Sequence, residues 1–233
     1  MVWYQVTGEC SSEALFKPAI AVMVQAMLHS LTLFALSVAL PLQASDADSE
    51  PAQIREVDAI ECRLDVPGYM QFAMAISGEE DLAKARRWKK IDSGNPFMNE
   101  YELPAPIVVA SSYSTKRIAF TADAILAILD LADPGVIARD AQVENAMDPE
   151  PMIAEMVRSG KATRAEIEAE IKFRKFLGER ILADVTTPAA KGESFGSRTV
   201  VARSISNVTT HPGKTFYGCA YRMEVLDEKG VPL

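Results

Sequence analysis

Apolar and polar residues alternate most regularly near the two ends of the charged part of the chain. In "IECRLDV", Ile60, Cys62, Leu64 and Val66 alternate with Glu61, Arg63 and Asp65, the period of a half-buried strand. In "TFYGCAYRMEV", Tyr217, Cys219, Tyr221, Met223 and Val225 share one face, with Arg222 and Glu224 opposite. These patterns predict a first strand over 57–66 and a last one over 215–225. Between them, "FMNEYEL" places Phe97, Tyr101 and Leu103 on one face, and Pro104 and Pro106 are expected to break that strand. "IVVASSY", "KRIAF", "RILADV" and "RTVVARSI" read as further strands, and "SNVTTHPGK" as the hairpin loop before the last.

Other stretches carry helical signals. "YMQFAMAIS", 69–77, predicts a short buried helix closed by Gly78. "ADAILAILDLAD" follows Thr121 and is apolar almost all round, which predicts a buried helix with Asp123 in its first turn and "DPG" at its end. "DAQVENAMDPEP" reads as a linker. A helical hairpin is expected next, with a stripe of Ile153, Met156 and Val157, a stop at Ser159-Gly160, and a capping box of Thr163 and Glu166 opening a second helix through Ile171. Strands at both ends with helices between them predict an α+β fold. Its antiparallel sheet would have the N- and C-terminal strands adjacent and would pack against helices.

The apolar run changes the picture of the first residues. Ala19 to Leu42 carries no charge and gives way to the acidic "QASDADSEPAQ", the pattern of a secretory signal peptide. We expect residues 1–44 to be such a leader, cleaved near Ala44, residues 45–53 to be a disordered tether, and 54–233 to be one domain. Glu9 and Glu13 outnumber Lys17 ahead of the apolar run, against the usual positive start; initiation at Met23 or Met27 would account for this. An uncleaved anchor is the alternative, and Gln25, His29 and Pro41 count against it. The expected location is the periplasm or the exterior, with no membrane span in the mature form.

Cleavage leaves 233 − 44 = 189 residues and a net charge of (24 − 1) − (32 − 2) = −7. Such a surface disfavours nucleic acid, so no nucleic-acid partner is expected. Cys10 leaves with the leader, and the remaining pair in an exported chain predicts one disulfide, Cys62–Cys219. Two buried free thiols are the alternative.

Catalytic patterns are scarce. "GESFG" spells G-x-S-x-G around Ser194, but a nucleophile turn needs a strand before it and a helix after it. Here "VTTPAAK" precedes and the strand-like "SRTVVARSI" follows, so the segment reads as a loop. His211 is the one histidine beyond the leader and sits before Pro212-Gly213, where solvent exposure is expected. Asp123 and Asp130 are carboxylate candidates without a visible partner. No metal site and no cofactor fingerprint is found, so neither is expected.

The candidate contact surface is "KARRWKK". Lys84, Arg86, Arg87, Lys89 and Lys90 surround Trp88 in an otherwise acidic chain. Such a cluster suits phosphate head groups, acidic glycans or an acidic partner, and a solvated face with Trp88 in the core is its bland alternative. The leading expectation is a non-catalytic exported module that binds an anionic envelope component or another exported protein. A hydrolase using Ser194 and a module working by its sheet edge are the alternatives, the second requiring a long exposed strand.

Overall fold

Asp65 opens the longest helix: its side chain accepts from Gly68 N, and Pro67 occupies the first turn, where a missing N–H costs nothing. A computed structural model describes this and the rest of residues 50–78 and 81–233. The expected leader, most of the tether and Glu79-Glu80 lie outside the described residues. The chain divides into two units, and every element below belongs to Gln43–Leu233.

The fold is α+β: a seven-stranded antiparallel sheet with helices and one disulfide. Pro51–Gln53 form a 3-10 turn. Helices α1 (Glu56–Ile60), α2 (Val66–Ser77) and α3 (Leu82–Ala85) follow. Strands β1 (Lys89–Ile91), β2 (Asn99–Val109), β3 (Tyr113–Phe120) and β4 (Ala124–Leu129) come next. Helices α4 (Pro134–Ala141), α5 (Glu150–Arg158) and α6 (Arg164–Glu170) lead to β5 (Leu177–Thr187), β6 (Gly196–Ser206) and β7 (Thr215–Leu226). The sheet order is β1-β2-β3-β4-β7-β6-β5.

Two expectations are corrected. The segment 57–66 is a helix and a turn, not a strand. Its four apolar residues are covered for separate reasons: Ile60 ends α1, Cys62 adopts φ 58 in the turn, Leu64 packs on the core and Val66 begins α2. The start of the domain therefore meets β7 through the Cys62–Cys219 bond, with Cα atoms 5.3 Å apart, and not through a ladder. Second, "AILAIL" is β4, a central strand buried at all six positions. Ile125, Ala127 and Leu129 join the large core under α1 and α2, while Ala124, Leu126 and Ile128 join a second cluster on the other face. Thr121, which looked like a helix cap, closes the β3–β4 turn, its Oγ1 accepting from Ala124 N at 3.1 Å.

The prolines do not end β2. The strand continues through an irregularity between Glu102 and Ile107, and β1 pairs only with Glu100, Tyr101 and Glu102. Pro104 and Pro106 thus fall where one side of β2 has no ladder to interrupt.

The junction around the disulfide is polar and closed. The Glu61 carboxylate accepts from Ala110 N at 2.7 Å, Arg203 Nη2 at 3.1 Å and the Tyr217 hydroxyl at 3.1 Å. Arg203 also donates to Ile60 O and lies 4.4 Å from the Tyr217 ring centre. Burial, opposed by Arg203 and reinforced by Glu61, pushes the Tyr217 phenol up to about 12.

Candidate functional site

The basic stretch divides between solvent and core. Asp81 caps α3, its side chain accepting from Lys84 N. The helix then ends in two bonds, Arg87 N to Lys84 O and Trp88 N to Ala83 O, both 2.9 Å, with Arg87 at φ 58. This left-handed ending usually takes glycine. It sends Arg86 inward, Arg87 outward and Trp88 into the core.

The six candidate residues separate accordingly. Arg86 donates to Glu56 Oε2 at 3.1 Å, Ala52 O at 3.0 Å and Ile54 O at 2.6 Å, and its guanidinium lies 5.3 Å from the Phe72 ring centre. Burial lowers its pKa against the opposing pull of Glu56. It holds the 3-10 turn and α1 onto α2. Trp88 is buried against Tyr101 and Phe120, at 5.8 and 6.5 Å between ring centres. Lys84, Arg87, Lys89 and Lys90 are exposed, and none of the four makes an ion pair with a described residue. Glu102 stands opposite Lys89 in the ladder without pairing with it.

These four line a cleft of 730 Å³ whose floor is Ile76, Trp88 and Tyr101. Burial raises the Tyr101 phenol, with the Asp81 charge adding to it, so the floor stays uncharged. The cleft offers four cations and the Asp81 carboxylate over an apolar base.

The other candidates are scattered. Ser194 is exposed in the turn between β5 and β6, so a strand and not a helix follows it. The eleven residues of β6 stand between that turn and the loop of His211, roughly 30 Å at the rise of a strand. Asp123 and Asp130 flank opposite ends of β4; Asp130 pairs with Lys214 and Asp123 lies 3.9 Å from Arg222. Among the described residues, no group of three or more His, Cys, Asp or Glu is placed to hold a metal, and no helix is long and apolar enough to cross a membrane.

His211 corrects the expectation of a solvated loop histidine. Its side chain is only 6% exposed and its ring packs edge-on against Phe216 at 5.2 Å. Nδ1 lies 2.9 Å from Thr210 Oγ1, and Nε2 lies 2.5 Å from Oε1 of the fully buried Glu100. That approach is within ion-pair distance, and Oε1 has no hydrogen-bond donor. Oε2 of Glu100 accepts from Arg117. Glu100 sits between Asn99 and Tyr101 on what looked like the solvent face of a strand. That face is covered, because Met98 and Val208 pack on the second apolar cluster beneath it.

The sheet-edge alternative meets a mixed geometry. Strand β5 is an eleven-residue edge that exposes Ile181, Leu182 and Val185. Its start is covered, since Leu177 O accepts from Ala146 N and Leu177 N donates to Asn145 Oδ1. An irregularity between Ile181 and Ala183 bends the remainder, a feature that discourages edge-to-edge pairing.

No protein-family model, curated protein or solved structure matches the chain. The functional reading therefore stands on this geometry alone.

Proposed function

We propose that the protein is exported, loses its leader near Ala44, and acts as a non-catalytic module that binds an anionic envelope component through the cleft of Lys84, Arg87, Lys89 and Lys90. The observation that carries this reading is the set of four exposed cations around one 730 Å³ cleft, without ion-pair partners among the described residues, in a chain of net charge −8. Self-repulsion and the general field oppose anion binding everywhere else on such a surface, so an unneutralised local cluster is a place where binding energy is available. The disulfide supports the location, because such bonds persist in oxidising compartments.

The export step predicts an intact mass beginning at Ser45 for protein recovered from the envelope fraction, with Cys62 and Cys219 blocked to alkylation until reduced. A full-length mass with three reactive thiols would overturn it. The cleft is tested with immobilised inorganic polyphosphate in a salt gradient. Changing Lys84, Arg87, Lys89 and Lys90 together to Ser should remove retention, whereas the same salt of elution for both proteins would dispose of this surface. Arg86 is left intact in that variant, since its donors are committed to the fold.

A further inference from the structure

We propose that the cleft and the tip of the β1–β2 hairpin form one surface that docks on an anionic lipid bilayer. Phe97 would enter the interface while Lys84, Arg87, Lys89 and Lys90 meet head-group phosphates. This rests on the anion-binding reading above and names the source of the anion.

Phe97 is the observation beyond the cations. It is 83% exposed, which leaves most of an apolar ring in solvent at the edge of the basic patch. Asp92 Oδ1 accepts from Gly94 N, the Ser93 hydroxyl donates to Asn95 O at 2.9 Å, and Asn95 Oδ1 accepts from Phe97 N at 3.0 Å. Gly94 takes the positive φ of 63 that the turn requires. The backbone that carries the ring is thus fixed by a hydrogen-bonded tip.

The tip is continuous with the basic residues. Lys90 lines the cleft and also a 530 Å³ groove whose other wall is Asn95, Pro96 and Met98 of the tip. Over 81–98 the four exposed cations outnumber Asp81 and Asp92, giving +4 − 2 = +2. An otherwise acidic domain approaching an anionic surface is repelled except at such a patch, so charge sets the orientation and presents Phe97 to the lipid. A soluble polyanion or an acidic peptide would engage the cations with no need of an exposed ring. The lipid surface uses both.

Cosedimentation of the protein as recovered from the envelope fraction tests this. The probes are vesicles of phosphatidylcholine alone and of phosphatidylcholine mixed with phosphatidylglycerol. The expected result is binding to the mixed vesicles only, weakened by salt. Phe97→Ala should reduce it roughly tenfold, the loss expected for one partly inserted ring, while retention on polyphosphate is unchanged. Lys89→Ser with Lys90→Ser should weaken both. Retention on polyphosphate without binding to mixed vesicles, or vesicle binding indifferent to Phe97→Ala, overturns the lipid surface and leaves the anion site standing. Loss of polyphosphate retention in the unaltered protein overturns the anion site itself.

Discussion

Breaking the Cys62–Cys219 bond should destabilise the protein by about 5 kcal/mol, on the chain-entropy relation for a closed loop of this length. The bond spans a sequence separation of 157, so reduction releases an unfolded chain that was tied nearly end to end. The native state has a reason not to relax. Cys219 is fully buried in β7, and the turn holding Cys62 is fixed beside it by the three bonds to the Glu61 carboxylate. Tyr221 adds a hydroxyl bond to Ala59 O at 2.7 Å and stacks on Tyr69 at 4.2 Å. Those contacts remain after reduction, and the loss should therefore appear as a lower urea midpoint with the denaturation slope raised by the more expanded unfolded state. Equal midpoints with and without reductant would mean that the Glu61 junction alone closes the domain.

What the sequence showed was local or periodic. The Thr163–Glu166 capping box forms as expected, because both of its bonds lie within four residues. Strands β6 and β7 form where their patterns placed them, but both faces are covered over 200–205 and 215–221, and Met223 and Val225, expected on the apolar face, are exposed. The failures have equally definite causes. "AILAIL" carries no alternation because β4 has covered neighbours above and below, and an all-apolar run does not distinguish a central strand from a buried helix. Thr121 added to the confusion, since a hydroxyl accepting from the N–H three residues on is the same bond in a helix cap and in a tight turn. In "IECRLDV" the period of two was real as a pattern of burial, yet three different elements produced it. Asp65 and Pro67 were the signal for a helix start there, and the alternation masked it.

The candidate cleft was half legible for a comparable reason. Composition located the basic stretch, but only the left-handed turn at Arg87 decides which cations face out and which one braces the fold. The Glu100–His211 contact was invisible, because it joins residues more than a hundred positions apart and each looked locally like a solvated group. Phe97, expected to share a strand face with Tyr101 and Leu103, lies two residues ahead of the strand.

Arg117→Met should cost about 3–5 kcal/mol, the range for removing one partner of a buried ion pair. Glu100 is fully buried while the Arg117 side chain is 36% exposed, so the two ends of the pair are not equivalent. Removing the carboxylate frees an arginine that can turn to water. Removing the arginine strands a carboxylate that has no such route, with His211 as its remaining close polar neighbour. Thus Arg117→Met should be the more damaging single change, and Glu100→Leu the milder one. Adding Glu100→Leu to Arg117→Met should recover most of the loss, since an apolar pair in a covered site is nearly neutral against a buried ion pair. Urea unfolding of the two single variants and the double variant reads this directly. A double variant no more stable than Arg117→Met would show that the stranded Glu100 carboxylate is not the source of the loss.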